Sequence, residues 1–213
     1  LVFIHGWGMN STIWRDVIAE LNEYTCHTID LGFIKGGETN WHDLEKPAVY
    51  IGHSLGALWA LKQPALKPAA FISVSGFTSF TSFTPRAAIE KMQRGLALKP
   101  ETQMKTFWKR AGYQYPGESE QPGNIEKELL IPSLDQGLSW LKDWDGRDEF
   151  TKRNYPTCII ASRNDRIVPE QATNEQWPEQ HIIWHKTASH SLPQQEPAWL
   201  ANQIKSFLMS TTS

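Results

Sequence analysis

The sequence predicts a protein of the α/β class, with a mostly parallel central sheet, flanking helices and an inserted helical segment. Short apolar runs alternate with helical stretches near the start of the chain, and the alternation returns near its end. From Phe77 to about Tyr155 the pattern changes to helical stretches broken by glycine and proline. We therefore expect a core of residues 1–76 and 156–213, with residues 77–155 inserted as a helical cap.

The predicted strands are short continuous apolar runs, which are typical of strands buried on both faces of a parallel sheet. In chain order, the elements are strand Leu1–His5, helix Ser11–Asn22, strand Cys26–Leu31, strand Ala48–Gly52, helix Leu55–Gln63, strand Ala69–Ser75, strand Thr157–Ser162, a helix from about Glu170, strand His181–Lys186 and helix Pro197–Met209. Too few residues separate Leu31 from Ala48 for a full crossover helix, so we expect one turn or an extended loop there.

Size and charge exclude several classes of protein. The chain has 213 residues, 40% of them hydrophobic, which is enough for one sizeable core. The net charge of −2 gives no reason to expect a nucleic-acid partner. No apolar run approaches the roughly 18 residues needed to cross a membrane. Cys26 and Cys158 fall inside predicted strands as small buried hydrophobes, which favours a cytoplasmic location, and no signal peptide is recognisable.

Ser54 lies in Gly52-His53-Ser54-Leu55-Gly56, between a predicted strand and a predicted helix. This context is typical of a nucleophile elbow, where the serine hydroxyl is presented at a sharp turn. Glycines two residues to either side remove side chains that would clash there. The alternative is a tight turn with a capping serine, but the strand before it and the helix after it favour a nucleophile.

Asp165 and His190 each follow a predicted strand, and polar groups at the carboxyl ends of parallel strands meet at one edge of the sheet. The chain order Ser54, Asp165, His190 is that of an α/β-hydrolase triad. We expect His190 to accept the serine proton and Asp165 to orient the imidazole. Asp165 alone would more often be a structural turn cap than a catalytic residue, and His190 alone could be an ordinary loop residue, but together with Ser54 they favour the triad.

The backbone amides of Trp7 and Leu55 are the predicted oxyanion hole, one from the loop after the first strand and one from the residue after the nucleophile. His53 flanks the nucleophile and is expected to shape the substrate pocket. His5 is expected to support the turn behind the first-strand loop.

Two other interpretations are weaker. Gly6-Trp7-Gly8 follows a strand and Asp30 ends the next one, as in a dinucleotide site, but the third glycine position is Ser11. His181 and His185 are four residues apart, but on a strand they would be about 13 Å apart and unable to share a metal ion. Neither feature therefore predicts a bound dinucleotide or a shared metal ion.

The motifs resemble those of the BioH-type carboxylesterases of biotin synthesis. The segments that carry the resemblance are His5-Gly6-Trp7-Gly8-Met9-Asn10 with Trp14, Gly52–Gly56, Gly137–Leu141 ahead of Asp145, Asp165–Pro169 and Ala188-Ser189-His190. The resemblance implies an α/β-hydrolase fold and hydrolysis of the methyl ester of pimeloyl on acyl carrier protein. It assigns the triad to Ser54, Asp165 and His190, the oxyanion hole to Trp7 and Leu55, and an acyl-pocket contact to Phe107. It implies neither a metal ion nor an organic cofactor.

The chain also departs from that family. We expect no counterpart of the family's usual leading hairpin before the first predicted strand. The connection after Leu31 is shorter, and His53 stands where close relatives have tryptophan, which predicts a more open pocket. These departures leave open another acyl hydrolase, such as a thioesterase or lactone hydrolase, and a non-catalytic binding protein of the same fold.

The predicted cap carries a cluster of basic residues, with only Glu90 and Glu101 opposing them between Pro85 and Tyr113. Such a cluster would steer an acidic carrier protein towards the site. The alternative is an ordinary solvated helical face, because Glu118–Glu149 is rich in acidic residues. The basic residues are Arg86, Lys91, Arg94, Lys99, Lys105, Lys109 and Arg110.

Overall fold

The computed structural model describes residues 1–115, 125–177 and 180–211. In these residues, six strands form one sheet in the order β2-β1-β3-β4-β5-β6, and every neighbouring pair is parallel. The predicted fold class is confirmed. The strands are β1 Val2–Ile4, β2 His27–Ile29, β3 Ala48–His53, β4 Pro68–Val74, β5 Thr157–Ser162 and β6 Ile182–His185.

Helices cover the sheet and fill the connection between β4 and β5. The predicted helix Ser11–Asn22 is shorter than expected, since it begins as a 3₁₀ turn over Ser11–Trp14 and ends at Ala19. The helices are α1 Arg15–Ala19, α2 Leu55–Leu61, α3 Arg86–Leu98, α4 Pro100–Ala111, α5 Ile125–Glu128, α6 Ile131–Asp143, α7 Arg147–Thr151, α8 Glu170–Gln176, α9 Leu192–Gln195 and α10 Pro197–Thr211.

The sheet separates two apolar clusters, and side chains of one strand alternate between them. On β3, for example, Ile51 packs into one cluster and Tyr50 into the other. The same division holds on β4 for Ile72 and Phe71, all four side chains being almost fully buried. This alternation follows from the two-residue period of a strand, and it explains why the strands are apolar throughout.

The connection from β2 to β3 contains no helix, as expected, and it protects the outer edge of β2. Asn40 donates its amide to the carbonyl of Thr28 at 3.0 Å and accepts the amide of Thr28 on its side chain at 2.7 Å. The Asp30 amide donates to the hydroxyl of Thr39 at 2.8 Å. The loop thus satisfies edge groups that would otherwise need another strand.

The cysteines differ from prediction in one detail. Cys26 precedes β2 and is half-buried, whereas Cys158 lies in β5 and is buried. Burial raises the pKa of the Cys26 thiol and raises that of Cys158 to about 12. No helix in the described ranges has the length and apolar character needed to cross a membrane.

Candidate active site

Ser54 lies at a sharp turn between the last residue of β3 and the first residue of α2. Its φ of 53° and ψ of −122° are outside the strand and helix regions, a conformation that a residue with a side chain adopts only under constraint. A methyl group on Gly52 would lie 2.5 Å from the Ala57 nitrogen, and one on Gly56 would lie 2.4 Å from the Ile4 carbonyl oxygen. Both glycines are therefore required by close approach of the backbone.

The structure brings Ser54, His190 and Asp165 into one hydrogen-bonded chain. His190 Nε2 lies 2.9 Å from Ser54 Oγ, and His190 Nδ1 lies 2.7 Å from Asp165 Oδ2. Since a carboxylate only accepts, the imidazole proton is on Nδ1, which leaves Nε2 free to accept from the serine hydroxyl. The other carboxylate oxygen, Oδ1, accepts the amides of Ile167 and Val168 at 2.7 and 2.9 Å, which fixes the carboxylate.

The loop that carries His190 is anchored to β5 and to the loop that follows it. The buried hydroxyl of Ser162, the last residue of β5, donates to the carbonyl of Ala188. The side-chain amide of Asn164 donates to the carbonyl of Thr187 at 3.2 Å. The aspartate loop and the histidine loop are thus joined by hydrogen bonds other than the one between Asp165 and His190.

His5 supports the loop after β1, residues His5–Gly8, which we call the β1 loop. Its Nδ1 donates to the carbonyl of Gly6 at 2.9 Å, and its Nε2 accepts the amide of Leu31 at 2.8 Å. The carbonyl of Gly6 and the amide of Trp7 belong to the same peptide unit. His5 therefore fixes the direction in which the Trp7 N–H points.

The carboxylate of Asp30 is hydrogen-bonded to backbone amides of the protein itself. It accepts the amides of Ser11 and Gly32 at 2.7 and 2.8 Å. Burial raises the pKa of Asp30, but the hydrogen-bond donors around the carboxylate outweigh it and lower the pKa to about 2. A carboxylate engaged in this way supports the loop, and the dinucleotide alternative loses its ribose-binding residue.

The amides of Trp7 and Leu55 have the freedom that an oxyanion site requires. Leu55 is the first residue of α2, so its N–H has no acceptor within the helix. Among the described residues, no protein acceptor binds the amide of Trp7. The ring of Phe107, from α4, meets the ring of Trp7 edge to face with centroids 4.7 Å apart, so the two predicted substrate contacts are neighbours.

The side chain of His53, which was predicted to shape the substrate pocket, lies behind the loop that carries His190. Its side chain is fully buried, its Nε2 donates to the carbonyl of His190 at 2.9 Å, and its ring packs against those of Trp14 and His190. Burial and the nearby His190 hold the pKa of His53 well below its ordinary value. The residue supports the histidine loop from behind, and Ser54 itself is only 6% exposed.

The sequence does not predict the roles of Ser162 and Asn164. Their partners, the carbonyls of Ala188 and Thr187, are more than 20 residues away in the chain, and no motif links them. A polar residue at the end of a buried strand, such as Ser162, was the one available signal. Across the described residues, no three side chains of His, Cys, Asp or Glu are close enough together to hold a metal ion.

A parallel sheet with a serine at a strand-to-helix turn, bonded through histidine to aspartate, defines the α/β hydrolases. Residues 1–203 match the alpha/beta hydrolase family, and the chain belongs to it. Two similar relatives are the pimeloyl-[acyl-carrier protein] methyl ester esterases of Aliivibrio fischeri and Vibrio campbellii. The first is 30% identical over 225 residues, covering 90% of this chain and 86% of the relative; the second is 27% identical over 241, covering 97% and 93%. The predicted family resemblance is confirmed.

Solved structures agree on the fold. An esterase from Exiguobacterium antarcticum superimposes with a TM-score of 0.76 at 15% identity, covering 100% of this chain and 91% of the esterase. A bromoperoxidase from Bacillus anthracis gives 0.73 at 17% identity, covering 98% and 91%. Since proteins with different activities match equally well, this likeness establishes architecture, and the chemistry has to be argued from the site.

Proposed function

We propose that this chain is a serine carboxylesterase that hydrolyses acyl esters through an acyl-enzyme intermediate. We further propose that its substrate is the methyl ester of pimeloyl-acyl carrier protein, in biotin synthesis. The observation that carries the proposal is the hydrogen-bonded chain from Ser54 through His190 to Asp165. The substrate is supported by the names of relatives that are 27–30% identical over most of the chain.

In this mechanism Ser54 Oγ attacks the ester carbonyl while His190 Nε2 takes the serine proton. Asp165 stabilises the imidazolium through its bond to Nδ1. The carbonyl oxygen becomes an oxyanion that accepts the amides of Trp7 and Leu55. Collapse of the tetrahedral intermediate expels methanol, which receives the proton from His190. Water then attacks the acyl-enzyme with His190 as base, and the free carboxylate leaves from Ser54.

The helical segment between β4 and β5 serves as the cap in this proposal, with the predicted division at residues 77–155. Support comes from α4, whose Phe107 lies against Trp7. An acyl chain bound between this helix and the β1 loop would be shielded from water, while its ester is within reach of Ser54.

The cap also supplies the proposed docking surface for the acidic carrier protein. Arg86, Lys105 and Arg110 of the predicted cluster are engaged by Asp143, Glu101 and the carbonyl of Arg166, respectively. Lys91, Arg94 and Lys109 are exposed on α3 and α4. We place the docking surface at these three residues; residues 118–124 of the acidic stretch lie outside the described residues.

Charge reversal tests this surface. The double variant K91E/R94E should raise KM for a carrier-bound ester about tenfold at low salt, because electrostatic steering is lost, and the difference should shrink as salt is added. KM for a short p-nitrophenyl ester should not change. The matched control is K46E/K67E, at the opposite ends of the strands, where Lys46 and Lys67 precede β3 and β4; equal effects in both pairs would contradict docking at α3.

The central experiment is S54A. It should abolish hydrolysis of a p-nitrophenyl ester and labelling by a serine-directed phosphonate, and retained turnover would refute the esterase proposal. Methyl ester and thioester forms of one carrier-bound pimeloyl chain should then be compared. A preference for the thioester would favour a thioesterase, and rescue of a biotin auxotroph lacking its own esterase would support the proposed substrate.

We also propose a cytoplasmic location. The support is that Cys26 and Cys158 are both free thiols, which suits a reducing compartment.

A further inference from the structure

One turn of helix α4 contacts the two loops on either side of the candidate nucleophile. The indole N–H of Trp108 donates to the carbonyl of Gly8, at the end of the β1 loop, over 2.6 Å. Three residues later, the carbonyl of Ala111 accepts the hydroxyl of Ser189 at 2.9 Å and the amide of Ser191 at 3.0 Å. These two serines flank His190.

Gly8 is a position where the backbone needs external support. Its φ of +68° lies in the left-handed region, which glycine enters without strain and also leaves easily. Helix α4 lies directly on it, since a methyl group there would be 2.7 Å from Met104 and 3.1 Å from Phe107. The Trp108 bond therefore fixes a flexible residue at the point where the cap touches the core.

Trp7 is held on both sides. The Gly6 carbonyl before it binds His5, the Gly8 carbonyl after it binds Trp108, and its own indole N–H donates to the Leu134 carbonyl of α6 at 2.8 Å. Of these three contacts, two come from helices of the segment between β4 and β5. The direction of the Trp7 amide thus depends on how that segment is seated.

The Trp108 bond is also buried, because the residue is only 3% exposed. If α4 moved away, the indole N–H and the Gly8 carbonyl would each lose a partner, and an unpaired buried polar group is costly. The helix and the β1 loop therefore favour one joint arrangement over independent positions.

We propose that Trp108 is a positioning residue for the oxyanion site. Its N–H holds Gly8 in the conformation that directs the Trp7 amide towards the reacting carbonyl oxygen, so the site is complete only when α4 is seated on the β1 loop. The inference rests on the proposed esterase function and on Trp7 as an oxyanion donor.

The test is W108F, which keeps an aromatic ring and removes the N–H. Removing an oxyanion donor outright costs about 10²–10³-fold in kcat, so loosening one should lower kcat for p-nitrophenyl butyrate about tenfold, with KM changed less than about twofold. A trifluoromethyl ketone, whose adduct with Ser54 carries the oxyanion, should bind about tenfold more weakly. The matching methyl ketone, a ground-state mimic, should bind as it does to wild type.

A second variant covers the case in which W108F does not fold. Replacing Trp108 by 3-benzothienylalanine exchanges the N–H for sulfur and leaves the shape almost unchanged, and it should give the same loss of kcat and of trifluoromethyl ketone affinity. The matched control is W177F, since the buried indole of Trp177 donates to the carbonyl of Gly76 at 3.2 Å. That variant should keep wild-type kcat.

The outcomes distinguish a failure of the role inferred for Trp108 from a failure of the proposed esterase function. If S54A is inactive while both Trp108 variants retain wild-type kcat and ketone affinity, the esterase stands and the role of Trp108 is refuted. The same conclusion follows if W177F loses as much kcat as W108F, because the loss would then report general destabilisation. Turnover by S54A would instead overturn the esterase itself.

Discussion

The nucleophile elbow, Gly52–Gly56, and the β1 loop, His5–Gly8, are neighbours at the carboxyl ends of paired strands, yet they are held in different ways. The elbow is fixed by the backbone of the core. Ser54 donates its amide to the Val74 carbonyl at 3.0 Å, and Gly56 lies against the carbonyl of Ile4. The β1 loop is fixed by side chains, those of His5 and Trp108, one of them from the inserted helices.

The difference shows that the two halves of the proposed chemistry have separate structural origins. Nucleophile, base and acid come from loops at the ends of core strands. The donor of Trp7 is directed partly by a segment that lies outside the sheet. Changes in the core should therefore act on Ser54, His190 and Asp165 directly, whereas changes in α4 should act through the two loops that this helix contacts, the β1 loop and the loop that carries His190.

The largest expected loss of activity comes from a change in the triad, whose residues follow strands of the core. D165N keeps the shape of the side chain but no longer holds the His190 proton on Nδ1, so kcat should fall by roughly 10⁴-fold. Steady-state kinetics with a short p-nitrophenyl ester measure the loss, and circular dichroism checks the fold. A loss of less than about tenfold in a folded variant would show that Asp165 has only a structural role.

A pair of glycine variants compares the effect of backbone strain in the β1 loop with its effect at an exposed position elsewhere. Gly8 and Gly36 both have positive φ, but a methyl group meets Met104 and Phe107 at Gly8 and nothing within 4 Å at Gly36. G36A should lose about 1 kcal/mol of stability through backbone strain alone and keep its activity. G8A should lose more stability and about 10–100-fold in kcat. Equal activity of the two variants would contradict the importance of the loop.

Acid stability provides the next test, at His53 behind the histidine loop. Burial lowers the pKa of His53 in the folded protein, so below the ordinary pKa of about 6.5 the unfolded chain binds a proton that the folded chain excludes. As the pH is lowered below this value, the free energy of unfolding should therefore decrease by up to about 1.4 kcal/mol per pH unit. The decrease should end when the pH reaches the lowered pKa of His53 in the folded protein.

H53Q keeps an N–H donor but does not titrate, and it should flatten this pH dependence. The measurement is the urea unfolding free energy at pH 7 and pH 5, compared with wild type. H53F, which keeps a ring and loses the donor to His190, should also lower kcat near neutral pH. An unchanged acid slope in H53Q would show that His53 is not the group responsible.

The smallest effect is expected far from both regions, at the edge of β2. N40A removes the acceptor of the Thr28 amide and should cost about 1 kcal/mol of unfolding free energy, with kcat unchanged. Thermal unfolding and esterase kinetics measure the two quantities. A fall in kcat would show that the edge loop is coupled to the site, contrary to the separation described above.

The sequence by itself determined the strand and helix alternation, the place of Ser54 at a strand-to-helix turn, and the chain order of Ser54, Asp165 and His190. These features can be predicted from the sequence because each depends on a local pattern: an apolar run, two glycines around a serine, or a polar residue just after a strand. Because the carboxyl ends of parallel strands meet at one edge of the sheet, these three residues are then expected to lie close together.

The tertiary structure alone decided which side chains hold these groups in place. Trp108 meets Gly8 across 100 positions of sequence, and His53 meets the carbonyl of His190 across 137. No local pattern encodes such a pair, because its partners become neighbours only after the chain has folded. For the same reason the sequence suggested that His53 would contact substrate, whereas packing against Trp14 and the histidine loop buried it.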